Sequence, residues 1–352
     1  MAKITLPGLI DLHVHLRTPG QEHKEDFISG SKAALAGGFT TIIDMPNNKE
    51  PITTEERLNE KIKLAKKSAF CDIGFYFGSL GDNLKEFSKV KQNVYGLKLY
   101  LNETTGNFLI DRKKLREIFR AWEKAPGDKP ILLHAEDDAV AYVIQIVRAT
   151  RQRAHFCHIS TISDLQQIIR AKEEGLPITC GVTPHHLFLT NNAVSELGTY
   201  GKMKPPLRTK KEVDFLWKNL EYIDAVESDH APHTKEEKDG EGPPYGVPGL
   251  ETTLALLLNA YAEKKITIRD IIRLTHDGPA RILGISYDST TYIEIDTTKQ
   301  YVIQNKNLFT KCGWTPFHGK KVKGKVTKVV IREKKVFENN KVLAKKGAGM
   351  II

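Results

Sequence analysis

The sequence predicts an eight-stranded parallel α/β barrel, (β/α)8, with a small β appendage built mainly from its C-terminal segment. Three observations lead there. Short apolar, β-rich runs recur up to residue 233, and there are eight of them. Helical patterns separate the runs. Several runs end in histidine, lysine or aspartate, and such ends gather at one mouth in a barrel of this kind.

The runs are 9–16 (LIDLHVHL), 40–46, 71–78, 94–101, 130–136, 153–160, 177–186 and 222–233. They are near-continuously apolar, as strands buried on both faces are. The intervening segments, such as EERLNEKIKLAKKS and ISDLQQIIRAKEEG, carry helical periodicity, and several stop at glycine or run into proline. An open doubly wound sheet is the alternative arrangement. After residue 233 a glycine- and proline-rich loop (240–251) leads into two helical patterns, and from about 285 the chain reads as short strands. The expected division is a barrel over 6–284 and an appendage over 285–352, with residues 1–6 as a possible addition. The Asn-Asn pair at 339–340 fits a hairpin turn.

The bulk properties exclude several classes. The chain of 352 residues is 40% hydrophobic and 27% charged, a globular composition. No apolar run approaches the ~20 residues of a membrane span, and MAKITLPGLID lacks a signal peptide's apolar core. Four scattered cysteines without a CxxC fit a reducing, cytoplasmic setting. The net charge of +10 raises nucleic acid as a partner. The lysines, however, are interleaved with acids or alternate along the C-terminal strands, as solvated faces do, so no nucleic-acid partner is expected.

The stretch DLHVHLR carries the first chemical signal. Alternation points His13 and His15 to one face of a strand, about 7 Å apart. Two core histidines with satisfied hydrogen bonds are the plain reading, and a metal chelate is the functional one. The other run ends decide between them. Asn47 follows the second run, Lys98 lies in the fourth, His134 ends the fifth and His158 the sixth, and Asp229 and His233 follow the eighth. Four histidines, a lysine and an aspartate at one mouth make a metal site the leading hypothesis. A buried lysine pairs with a carboxylate or stays neutral. A neutral one reacts with carbon dioxide to give a carbamate, which can bridge two cations.

The motifs DLHVHLRTPG, HKEDF, DMPNN, GLKLYLNETTG, LLHAE, CHIS, TPHHLFL, PPLR, SDHAPH and VPGLET, in this order, resemble the dihydroorotases of the amidohydrolase superfamily. The resemblance covers most of residues 6–255 and includes WTPFHGKKVKG. It implies a TIM-type barrel and a site of two zinc ions. His13 and His15 would bind one ion with Asp229, and His134 and His158 the other. Carboxylated Lys98 and a hydroxide would bridge them. The implied reaction interconverts N-carbamoyl-L-aspartate and L-dihydroorotate in pyrimidine synthesis, with the hydroxide as nucleophile and Asp229 as general acid and base. Arg17, Asn47 and His233 would hold the substrate carboxylate. The backbone at Pro248 and Gly249 would border the ring. Thr104 and Thr105, in the loop LNETTGN, would belong to a lid that excludes water.

Four departures stand out. Thr18 replaces an acid common after the arginine. Gly181 stands where the animal form has a glutamate that helps hold a third zinc, so that site is not expected here and Cys157 reads as a packed thiol. Lys204 replaces asparagine or arginine and offers the substrate a point charge. The chain begins almost at the first barrel strand, as in the dihydroorotase domain of the animal multifunctional protein, so only the C-terminal segment is expected to build the appendage. A homodimer, and aspartate carbamoyltransferase as a partner, are the expected associations. The alternatives are another cyclic amidase, dihydropyrimidinase or allantoinase, and an inactive scaffold for the carbamoyltransferase. The three carboxylate-binding residues disfavour the first, and the full ligand set disfavours the second.

Overall fold

The computed structural model describes residues 3–106 and 108–352. A first strand, β1 (Lys3–Pro7), precedes the barrel. The barrel strands are β2 (Leu9–Val14), β3 (Phe39–Asp44), β4 (Asp72–Gly78), β5 (Gly96–Tyr100), β6 (Ile131–His134), β7 (Ala154–Phe156), β8 (Ile178–Val182) and β9 (Ala225–Val226). They pair in parallel in sequence order. A bridge between Val14 and His230, with His15 N–H donating to the His230 carbonyl at 2.8 Å, draws the last strand's continuation against the first. All eight expected runs therefore hold a barrel strand, and the open-sheet alternative falls.

Several strands stop earlier than their apolar runs. Proline at the first helical position and Thr183 as N-cap, accepting from His186 N–H, turn TPHHLF into the helix Pro184–Phe188. The eighth run keeps only two strand residues because its polar half becomes the loop that carries Asp229. The helices Phe27–Gly37, Glu55–Lys66, Asp138–Thr150, Ile162–Glu173 and Leu250–Ala262 follow the helical patterns within a residue or two. Asp26 and Thr161 cap two of them through their side chains. Among the described residues no helix is long and apolar enough to cross a membrane.

The second sheet is antiparallel, in the order β1, β10 (Tyr292–Val302), β11 (Lys321–Ile331), β12 (Lys334–Glu338) and β13 (Lys341–Val342). The possible addition from residues 1–6 is realised as β1, where Lys3 pairs with Asp296 and Pro7 with Tyr292, so a strand before the barrel supplies one edge and the C-terminal segment does not build the sheet alone. Asn339 and Asn340 both take positive φ (48° and 65°) in the two-residue turn between β12 and β13. Arg332 and Glu333 do the same between β11 and β12, without the usual turn chemistry. There the Arg332 guanidinium grips Asp72 at the start of β4 with both arms, one at 2.9 Å. The chain end also returns to the barrel, where Ile73 N–H donates to Met350 O at 2.9 Å. The approach needs Gly349, since a Cβ there would sit 1.9 Å from the Cys71 carbonyl.

Two apolar layers hold this frame. The larger lies between the strands and the outer helices. A smaller one of Leu12, Ile43, Tyr76, Leu132, Cys157 and Ala225 floors the barrel mouth. Where β3 ends, Asp44 turns polar. It accepts Leu16 N–H at 2.8 Å and pairs with Lys61 at 2.8 Å. Lys61 is fully buried and also donates to Met45 O (2.7 Å) and Asn48 Oδ1 (2.9 Å). The pair thus fixes the segment after His15 against the outer helix. Replacing Lys61 with methionine strands a buried carboxylate and is expected to cost about 3–5 kcal/mol. Urea unfolding of the variant measures this, and a loss under about 1 kcal/mol would remove the pair from the frame.

Candidate functional site

The strand ends converge as the barrel requires. His13 lies on β2 and His15 just beyond it, with ring centroids 5.2 Å apart. His13 Nε2 and His15 Nε2 lie 3.2 and 3.1 Å from the same Asp229 oxygen, Oδ1. Asp229 adopts a left-handed φ of 43° in the loop after β9, which turns its carboxylate into the mouth. On the far side His134, at the end of β6, meets His158, with Nδ1 to Nε2 at 3.1 Å. His158 also has a positive φ, 40°. Lys98 lies between the two groups on β5 and is fully buried. It forms no ion pair among the described residues, and its amine donates to Cys157 Sγ at 3.2 Å.

Burial sets the charge state of this cluster. His13, His15 and His158 are held well below the usual imidazole range, first by desolvation and then by neighbouring positive groups. Desolvation lowers His134 in the same direction. Burial pushes the Asp229 carboxyl up to about 7, against the pull of Lys98, His134 and Arg17. Neutral imidazoles have lone pairs to offer. His13 Nδ1, His134 Nε2 and His158 Nδ1 have no hydrogen-bond partner despite their burial. These face away from the mouth, with Glu227 3.5 Å from His13 Nδ1 and Glu136 3.5 Å from His134 Nε2. The nitrogens that converge are His13 Nε2 and His15 Nε2 on Asp229, and His134 Nδ1 against His158 Nε2, and lone pairs crowded in this way fit bound cations. His13, His15 and Asp229 already bring three donor atoms within 4.8 Å of one another.

The residues expected to meet substrate divide. Arg17, Asn47, Thr104, Thr105 and Lys204 line the same pocket as His13, His15, His134, His158 and Asp229. Arg17 is buried with no carboxylate partner among the described residues; it donates from Nε to Pro232 O and lies 3.1 Å from His233 Nε2. His233 stands behind it, fully buried and pressed down to about 3 by desolvation and by Arg17. Asn47 makes a contact its sequence position did not reveal. Its Oδ1 accepts from His15 Nδ1 at 2.7 Å, which leaves the His15 Nε2 lone pair facing Asp229. Thr105 Oγ1 donates to Tyr245 O (3.0 Å) and accepts Tyr245 N–H (2.9 Å), so the loop after β5 rests on the loop before Val247. Asn107, the last residue of the expected lid, lies outside the described residues. Pro248 and Gly249 do not line the pocket. They border a separate crevice behind His230, where Gly249 N–H donates to His230 Nδ1 at 3.2 Å.

With this geometry in place, comparison with known proteins decides the family. The amidohydrolase family model matches residues 4–180. The chain belongs to the amidohydrolase family. It is 42% identical over 348 residues to the multifunctional protein CAD of Squalus acanthias, covering 98% of this chain and 15% of that protein. The chain therefore spans under a sixth of that relative's length. It is 37% identical to the dihydroorotase of Pyrococcus furiosus, covering 97% of this chain and 84% of that one. The L-hydantoinase of Arthrobacter aurescens superposes with a TM-score of 0.93 at 24% identity, over 99% of this chain and 88% of that one, and shares the fold.

One buried carboxylate beside the cluster was missed in the sequence. Glu227 follows β9, is fully buried, and accepts the His158 backbone N–H through Oε1. Its Oε2 lies 3.5 Å from both His13 Nδ1 and His155 Nε2. His13, Cys157 and Glu227 form a second group of donors within 4.8 Å. Glu227 thus brings a carboxylate beside Cys157, a buried thiol that also packs in the apolar layer. Gly181 makes the room, since a Cβ there would lie 2.6 Å from Glu227 Oε1. The readable signal was a glycine in one barrel strand beside a glutamate at the end of the next. Gly181→Ala is expected to displace Glu227 and cost about 1–3 kcal/mol. Thermal unfolding tests this, and the loss should shrink when Glu227 is alanine as well. Equal losses in both backgrounds would mean that the two residues are not coupled.

Proposed function

We propose that the protein is a zinc-dependent dihydroorotase, interconverting N-carbamoyl-L-aspartate and L-dihydroorotate in pyrimidine synthesis. The observation that carries the reading is Arg17: a buried guanidinium without a carboxylate partner, in the same pocket as a cluster of neutral imidazoles and Asp229. A substrate that brings its own carboxylate to a hydrolytic cation site satisfies both. The relatives named dihydroorotase support the choice. Four free, buried cysteines support a cytoplasmic setting.

His13, His15 and Asp229 would hold one zinc ion and His134 and His158 the other, with Lys98, carboxylated, shared between them. Bound zinc supplies hydroxide near neutral pH and polarises a carbonyl. The chain's own residues do the rest. Arg17 offers the substrate carboxylate a bidentate partner. His233 stays neutral beside it, so the subsite carries one full charge from Arg17. Asn47 keeps His15 in the tautomer that leaves Nε2 free. Asp229 takes a proton as the ring opens and returns it to the departing nitrogen, and ring closure runs the same transfers backwards. Lys204 adds positive charge at the rim. Thr104 and Thr105 cover the pocket and exclude water.

Purified protein is expected to hydrolyse dihydroorotate and cyclise carbamoyl-aspartate, with hydantoin and dihydrouracil far poorer substrates. Chelation should abolish turnover, and zinc with bicarbonate should restore it. Failure on both dihydroorotate and carbamoyl-aspartate in zinc-loaded protein would refute the reading. Arg17→Lys exchanges a fork for a point charge, and KM for dihydroorotate should rise roughly tenfold or more with unchanged zinc content. An unchanged KM would remove Arg17 from the carboxylate subsite.

A further inference from the structure

Tyr100 ends β5, two residues after Lys98, so strand alternation sends both side chains to the inward face. It pairs in register with His134, and the two rings are 6.1 Å apart. Lys98 Nζ lies 4.9 Å from the Tyr100 ring centroid, and Phe108 closes the other side at 5.4 Å. The residue is 2% exposed and lines the pocket with Arg17, His134 and Asp229. Its hydroxyl is buried and has no hydrogen-bond partner. Tyr76, equally buried on the preceding strand, is the contrast: its hydroxyl donates to Leu12 O at 2.9 Å. A phenol sealed away without an acceptor is costly. The barrel tolerates this at the pocket and avoids it one strand away.

We propose that Tyr100 is a further catalytic residue, whose hydroxyl donates a hydrogen bond to the carbonyl oxygen under attack in the bound cyclic amide. The inference rests on the dihydroorotase reading for the identity of that substrate. The ring is clamped by Phe108 and His134, so the donor is in place before substrate arrives. A fixed donor strengthens its bond as the oxygen gains charge, which raises kcat more than it tightens binding. The loop after β5 returns onto the Tyr100 backbone, where Ile110 N–H donates to Tyr100 O at 2.9 Å. The same residue therefore anchors that loop and lines the pocket.

Tyr100→Phe tests this, with Tyr76→Phe as comparator. For Tyr100→Phe, kcat for dihydroorotate should fall at least about tenfold. KM should change by less than about threefold, with zinc content at the parental level. The melting temperature of the free protein should hold or rise, because the hydroxyl has no bond to lose. Tyr76→Phe should lower the melting temperature, because it strands the Leu12 carbonyl. A parental kcat in Tyr100→Phe overturns the proposal. So does a rise in KM alone, or a loss of zinc that accounts for the lost rate. If the parent turns over neither dihydroorotate nor carbamoyl-aspartate, the dihydroorotase reading fails on its own. Tyr100 is then judged by the same split on hydantoin or dihydrouracil, and a parent that opens none of these overturns both.

Discussion

The structure depends on keeping four imidazoles neutral. Burial strips water from His13, His15, His134 and His158, and the surrounding positive groups make protonation dearer still. Lys98 and Arg17 sit among them without ion-pair partners among the described residues. The two central carboxylates, Asp229 and Glu227, have to serve several nitrogens each. Such a cluster is poor as a source of stability. It makes chemical sense when cations and an anionic substrate complete it.

The rest of the fold reads as the means of holding that cluster still. The Val14–His230 bridge brings the ends of the barrel together beside His15. Asp11 accepts the backbone N–H groups of both His13 and Ser228, which ties β2 to the loop bearing Asp229. His230, next in the chain, donates from Nε2 to the buried Glu25 and accepts Gly249 N–H at Nδ1. Glu25 is also the acceptor for Thr310, so the segment after β10 braces the same loop. Two strained backbones, at His158 and Asp229, are thus fixed from several directions. Distance along the chain is no barrier to this bracing, because a barrel mouth collects every strand end.

Most of this was legible in the sequence for a simple reason. Parallel barrel strands are apolar throughout, so His13, Lys98 and His134 interrupt their own pattern and stand out. The lengths of the strands were less legible, because apolar character continues past the last ladder bond and Pro184 or Asp229 ends the strand by backbone geometry. The β1 edge strand showed only as a possible addition, because five residues carry little periodicity. Glu227 and the bond from His15 to Asn47 were hidden for another reason. What they do depends on a cross-strand neighbour, Gly181 in one case and His15 in the other, and neither neighbour is near in the chain.

The central claim is that the converging imidazole nitrogens and the buried lysine exist to hold cations. Zinc titration of metal-free protein, with and without bicarbonate, tests it most directly when followed by calorimetry and by a carbamate signal from isotopically labelled bicarbonate. The account predicts two zinc ions per chain at the mouth, a carbamate that appears with them, and loss of both the signal and one ion in Lys98→Arg. A well-folded protein that binds no zinc at the mouth, or binds it equally well without Lys98 and without bicarbonate, would contradict it.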